Sequence, residues 1–286
     1  PQFHSAEYEH QHDLRGKRVA VIGTGASAFQ LVPAIVGQVA EIKVFQRSPV
    51  WMFPNPDYHA KVPEEVKWLL KHLPYYARWY RFLLFWPASD GLLPSLVTDP
   101  DWPHQERSVC QLNDRAREHM TAWIDSQVAG TPGLRDKVVP TYPPFVKRML
   151  QDNGSWLRAL QQDNAALITD PISRIESHGI VCGDTLHEVD IIIYATGFDN
   201  HRWLYPINVV GREGRVLAEE WGDDPQANLG ITVPGYPNLF CIYGPATNLA
   251  HAGSLVFNSE CQVRYIMSCI GAVLQNHCQL IECTEE

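Results

Sequence analysis

An α/β fold built on a parallel sheet is predicted by three observations. A short β-branched run, Arg18–Ile22, is bounded by Gly16 and Gly23. A helical stretch from Gly25 to about Gly37 follows directly, and the next strand, Glu41–Phe45, comes after it. Strand, glycine turn, helix, strand is a βαβ crossover, which is right-handed and sets its two strands parallel. The 286 residues are 45% hydrophobic and 19% charged, which supplies apolar material for a sizeable core in one large domain or two ordinary ones.

The other elements follow in order. Residues 1–13 (PQFHSAEYEHQHD) are polar and His-rich and read as a connector. Pro33 sits inside the first helix and is expected to kink it or remove one hydrogen bond. Residues 51–135 read as a helical insertion without strands. Both VPEEVKWLLKHLPYYARWYRFLLFW and RSVCQLNDRAREHMTAWID carry helical spacing, and their aromatic stripes are expected to be core. Short strands are predicted at Leu167–Thr169, Ile172–Glu176, Ile180–Cys182 and His187–Val189, with a turn at Ser177-His178-Gly179. A buried strand over Glu188–Tyr194 runs into Ala195-Thr196-Gly197. Another, Asn238–Tyr243, runs into Gly244-Pro245, and Ser254 to about Leu274 is the last helix.

The turn after the first strand reads Gly23-Thr24-Gly25-Ala26-Ser27-Ala28, which is G-x-G-x-x-A opening a helix. The first Gly allows the tight turn, the second lets backbone approach a pyrophosphate, and the small third residue lets helix and strand pack closely. The helix start offers free N–H groups and a positive dipole end to phosphates. Gly23, Thr24, Gly25, Ala26 and Ser27 are therefore cofactor-binding candidates, with Gln30 one turn further along the helix. The second strand of such a unit ordinarily ends in an acid that holds a ribose hydroxyl. Here it is followed by Gln46 and Arg47. A carboxylate would repel a 2′-phosphate, whereas a guanidinium can grip it in bidentate fashion, and Ser48 adds a hydroxyl. The expectation is NADP in preference to NAD.

Composition narrows the rest. The net charge of −9 gives no support to nucleic-acid binding through a basic face. Seven cysteines without a CxxC pair point to a reducing, cytoplasmic setting. No apolar run reaches the ~18 residues of a membrane span. No Cys/His spacing matches a zinc site, no metal is expected, and no G-x-S-x-G occurs.

Several segments together resemble one family. They are FHSAEYE (Phe3–Glu9), GTGASA (Gly23–Ala28), FQRSPVW (Phe45–Trp51), YPPFVKRMLQDNGSW (Tyr142–Trp156), YATGFD (Tyr194–Asp199) and PNLFCIYGPATNLAH with ECQVRYI (Pro237–His251, Glu260–Ile266). In this order they resemble class B flavin-dependent monooxygenases of the Baeyer–Villiger kind, and most nearly the 4-hydroxyacetophenone monooxygenase type. The resemblance implies a Rossmann-like NADP-binding domain over 14–195, carrying the 51–135 insertion. Residues 196–286 would be the C-terminal segment of an FAD-binding domain, and 1–13 a linker from an FAD segment that the chain lacks.

The resemblance further implies an NADPH- and FAD-dependent enzyme. It would insert one oxygen atom of O2 beside a ketone carbonyl through a C4a-peroxyflavin, and it would be incomplete in this chain. Lys147 would join Arg47 and Ser48 at the 2′-phosphate, and Arg148 would be the catalytic arginine that steadies the peroxide and the nicotinamide. Ala195, Thr196 and Gly197 would line the crossing towards the FAD domain, and Asn248 would lie near the flavin. His4 matches the family fingerprint, Tyr8 stands where that fingerprint has Trp, and Val146 occupies a position that is usually Gly. An NADP(H)-binding fragment without turnover and an N- or S-oxygenating flavin enzyme remain open as alternatives.

Overall fold

The computed structural model describes residues 1–199, 202–249 and 253–285. The chain divides into two compact units. One comprises Pro1–Pro74 and Pro94–Gly197, the other Tyr75–Leu93 and Phe198–Glu286.

Along the first unit run β1 (Gln2–His4), β2 (Arg18–Ile22), α1 (Ala26–Ile35), β3 (Glu41–Phe45), β4 (Met52–Pro54) and α2 (Glu64–His72). After α3 (Tyr76–Ala88), which belongs to the second unit, come α4 (Gln111–Val128), α5 (Leu134–Val138), β5 (Leu150–Asp152) and α6 (Ser155–Leu160). β6 (Ala165–Ile168), β7 (Ile172–Glu176), β8 (Gly179–Cys182), β9 (Thr185–Glu188) and β10 (Ile191–Tyr194) complete it. The second unit adds α7 (Leu217–Trp221) and α8 (Leu255–Gln275).

The predicted α/β fold is present. Five parallel strands lie in the order β1-β10-β2-β3-β6. Val21 in the central strand pairs with Val44 on one side and Ile193 on the other. Both faces of the sheet are covered, which is why β10 and Val19–Ile22 of β2 read as unbroken apolar runs, whereas β3 alternates through Glu41 and Lys43. On one face Val19 and Val21 pack with Val32 of α1, Ile124 of α4 and Leu157 of α6. On the other, Ala20, Phe45 and Ile192 pack with Ile180 and Cys182 of the antiparallel meander β7-β8-β9. α1 continues through Pro33, and the Val36 N–H beyond it still reaches the Val32 carbonyl at 3.0 Å.

Four expectations need correction. The first thirteen residues are not merely a connector, because Gln2–His4 pairs in parallel with β10 and Phe3 is buried. Three residues are too few for a period to show. The 51–135 stretch is not wholly helical: Met52–Pro54 pairs with Leu150–Asp152, a partner far along the chain that local periodicity cannot reveal. The stretch is also divided between the two units. Its aromatic stripes are not core, since neither α2 nor α3 buries a residue, and Trp79 is 64% exposed. Helical spacing reports that a face exists, not what covers it. Finally, Asn238–Tyr243 forms no strand. Asn238 and Tyr243 both hold positive φ, and the described residues of this unit contain only isolated bridges, so no sheet edge is offered to an extended segment.

Candidate dinucleotide site

β2 ends at Ile22 and the chain turns at Gly23, whose φ is +110°. The Gly23 N–H donates to the Phe45 carbonyl at 2.9 Å, and the Ala195 N–H donates to the Ile22 carbonyl at 2.8 Å. A Cβ on Gly23 would overlap the Ala195 carbonyl oxygen, so only glycine lets the turn close against the end of β10. β3 and β6 lie to one side of β2, β10 and β1 to the other. The turn therefore stands at the carboxyl ends of the strands where the strand order reverses, the place where open α/β sheets take ligands.

Gly25 is the N-cap of α1, with an ordinary φ of −75° and open space where a Cβ would be. No side chain caps the helix, and its first turn carries no acid. The amides of Ala26 and Ser27 thus sit at a positive dipole end with room for an external acceptor. Ala28 is fully buried, which brings helix and sheet close. These residues could hold a dinucleotide pyrophosphate. Gln30 is exposed, and its side chain lies along its own helix, donating to the Ala26 carbonyl at 3.1 Å.

At the end of β3, Gln46 is buried and donates to the Lys137 carbonyl at 2.6 Å, so it belongs to the framework. Arg47, next in the chain, is exposed. Ser48 is held from two sides. The buried Thr24 hydroxyl donates to its carbonyl at 3.2 Å, and Lys147 Nζ donates to its hydroxyl at 3.3 Å. The same ammonium lies 4.5 Å from the centroid of the Tyr142 ring, whose half-buried hydroxyl is pushed up in pKa by desolvation. Arg148 is exposed beside Lys147, in the irregular segment before β5. Among the described residues none of Arg47, Lys147 and Arg148 joins an ion pair. In a chain of net charge −9, three cations in no such pair, on two loops joined by the Lys147–Ser48 contact, could hold an anion.

Ala195 is buried, whereas Thr196 and Gly197 are exposed, and Gly197 turns the chain with a φ of +99°. Asn248 belongs to the second unit, where its Oδ1 accepts from the Tyr243 hydroxyl. His4 Nδ1 accepts from the Ala6 N–H at 3.1 Å and so caps the short turn that follows β1. Val146 is exposed, and the positive φ of the loop falls on its neighbour Phe145. His251, which ends one quoted motif, lies outside the described residues.

The structure thus gathers Gly23, Thr24, Ser48, Lys147 and Ala195 within the first unit. Trp51 and Tyr142 stood in the sequence only as members of longer motifs, and no local pattern assigns them roles. Their roles come from contacts between segments about 90 residues apart, as the separation of 91 between Trp51 and Tyr142 shows.

No family model matches the chain. It is 43% identical over 288 residues to an uncharacterized monooxygenase of Sinorhizobium fredii, covering 100% of this chain and 43% of that protein. It is 36% identical over 269 residues to a Baeyer-Villiger monooxygenase of Pseudomonas aeruginosa, covering 94% of this chain and 48% of that one. The chain therefore spans less than half the length of these relatives. Among solved structures, oxidized steroid monooxygenase bound to NADP superposes with a TM-score of 0.78 at 27% identity, covering 99% of this chain and 58% of that one. Cyclohexanone monooxygenase bound to ε-caprolactone gives 0.76 at 25% identity, covering 99% and 60%.

Its relatives are monooxygenases, Baeyer-Villiger enzymes among them.

The fold is a Rossmann-like dinucleotide-binding α/β fold, shared with a protein whose structure contains NADP. Among the described residues there is no group of three or more His, Cys, Asp or Glu that could hold a metal ion, and no helix long and apolar enough to cross a membrane. All seven cysteines are free.

Proposed function

We propose that this chain carries the NADP-binding part, and the C-terminal segment of the FAD-binding part, of a Baeyer–Villiger-type monooxygenase. The reaction is insertion of one oxygen atom of O2 next to a ketone carbonyl, at the expense of NADPH. The 4-hydroxyacetophenone type, and with it an aryl ketone substrate, is the subgroup that the motifs taken together along the chain most nearly resemble, although Val146 departs from it. The observation that carries the reading is the contact between Lys147 and Ser48, next to Arg47, with neither cation in an ion pair among the described residues.

Each residue then has a task. The open face of Gly25 and the uncapped start of α1 bind the pyrophosphate. Arg47, Ser48 and Lys147 hold the 2′-phosphate, which a strand-end acid would repel. Arg148 presents a permanently charged, multi-donor group to negative charge that develops on oxygen, in the manner of an oxyanion stabiliser. Ala195, Thr196 and Gly197 carry the chain past the turn at Gly23, and Asn248 offers an amide to a ring or substrate. FAD, when bound, supplies the hydride acceptor and the activation of O2.

The test is a visible spectrum of the purified chain after addition of FAD, recorded while NADPH and then NADH are titrated. Retained flavin bleached faster by NADPH supports the monooxygenase reading for this chain. NADPH binding without retained flavin restricts the chain to a cofactor-binding module without turnover. Binding of neither nucleotide overturns the reading of Arg47 and Lys147.

A further inference from the structure

The loop that carries Lys147 and Arg148 is tied to the loop that carries Arg47 and Ser48 at three points. The Tyr142 hydroxyl donates to the Pro49 carbonyl at 2.8 Å. The Trp51 indole N–H donates to the Tyr142 carbonyl at 2.9 Å. The Leu150 N–H donates to the Trp51 carbonyl at 3.0 Å. Trp51 is 1% exposed, its ring meets Tyr142 edge-on at 6.5 Å, and the Arg117 guanidinium lies 5.8 Å from its centroid. Asn113, fully buried in α4, donates to the Pro144 carbonyl at 3.2 Å and fixes the same loop from behind.

Tyr142 stands where these ties meet the cations. Its hydroxyl holds the residue after Ser48, its carbonyl holds Trp51, and its ring lies under the Lys147 ammonium. A lysine side chain has four rotatable bonds and loses much entropy when a ligand fixes it. An aromatic face that keeps the ammonium beside Ser48 before the ligand arrives lowers that loss. We propose that Tyr142 is the positioning residue of the 2′-phosphate pocket, setting the spacing between Arg47-Ser48 and Lys147 and so the preference for NADP over NAD. This rests on the reading that these three residues bind the 2′-phosphate.

The experiment titrates NADP+ and NAD+ by calorimetry into the wild-type chain, Tyr142→Phe, Lys147→Met and the double variant, with thermal unfolding of each. The two nucleotides differ only in the 2′-phosphate. Tyr142→Phe keeps the ring and loses the hydroxyl, so NADP+ should bind about 3- to 10-fold more weakly, the loss of one hydrogen bond, while NAD+ binding stays unchanged. In the Lys147→Met background the same substitution should cost NADP+ affinity at most half as much on a logarithmic scale, because part of its effect acts through Lys147. Equal losses for both nucleotides, no loss for NADP+, full additivity with Lys147→Met, or a Tyr142→Phe chain that does not fold would each overturn the proposal. A wild-type chain that does not distinguish NADP+ from NAD+ would instead overturn the 2′-phosphate reading on which it rests.

Discussion

Gly23 and Ala195 touch backbone to backbone: the α-carbon of the glycine stands where any side chain would overlap the alanine's carbonyl oxygen. The contact joins the turn after β2 to the end of β10, at the reversal of the strand order where open α/β sheets take ligands.

Gly23→Ala should therefore lose stability as well as nucleotide binding. It adds a positive-φ penalty to a clash with backbone that cannot step aside, and a loss of about 2–4 kcal/mol is expected. Gly25→Ala makes the contrast. Its φ is −75° and no atom lies within 4 Å of the added methyl, so unfolding should be unchanged within about 0.5 kcal/mol while NADP+ affinity falls. Denaturant unfolding and calorimetric titration of the two variants separate the roles. A Gly25→Ala chain that binds NADP+ as well as wild type would remove the pyrophosphate from this turn.

Arg47→Gln should weaken NADP+ by about 10- to 100-fold, the range for losing a charge-assisted bidentate contact. NAD+ binding should stay within about twofold. The wild-type preference should also shrink as salt is raised, since the group is exposed. Parallel titrations at two ionic strengths check both statements, and a preference insensitive to both the substitution and salt would be evidence against a 2′-phosphate contact.

Arg148→Ala is expected to leave NADP+ binding largely intact and to abolish oxygenation in the FAD-supplied enzyme. Arg148→Lys should recover less than a tenth of the rate, because a single ammonium cannot reproduce the planar donor fork. Product formation measured against NADPH consumption distinguishes lost chemistry from lost binding.

At the far end of the same strands, Arg18 Nη2 lies 2.7 Å from Asp190 Oδ1, and the Arg18 N–H donates to Asp190 Oδ2 at 2.8 Å. The Arg18 guanidinium beside Asp190 holds its carboxyl down at about 2, against a usual value of 3.8. A depressed folded-state pKa stabilises the charged form. The contribution is therefore complete above about pH 4 and is lost as pH falls through the folded value near 2. Unfolding midpoints measured from pH 5 to pH 2 should fall less steeply in Asp190→Asn than in wild type. Identical slopes would show that the pair does not couple to folding. The pair is more than a third exposed, so the effect should be modest and reduced by salt.

The glycine turn was legible in the sequence because everything it needs is local. Gly23, Gly25 and Ala28 lie within six residues, between a strand and a helix that announce themselves by their own periods, and β2, α1 and β3 form where the pattern placed them. The three strands of the meander were legible for the same reason, with Gly179 pressed against the His187 backbone at their hairpin. Asn238–Tyr243 was misread because an apolar run specifies a strand only when a neighbouring strand is there to pair with it. α3 was misread because its pattern records a face without recording its cover.

By itself, then, the sequence determined the βαβ unit, the glycine turn and the replacement of a strand-end acid by Arg47, all short-range choices of backbone freedom, periodicity and charge. Tertiary structure decided which distant segments meet. β10 returns beside β2 to close on Gly23, and Met52–Pro54 finds Leu150–Asp152. Through Trp51 and Tyr142 that pairing carries Lys147 to Ser48. Such contacts follow from burying both faces of a sheet and satisfying backbone donors across long loops, and no window of neighbouring residues contains that information.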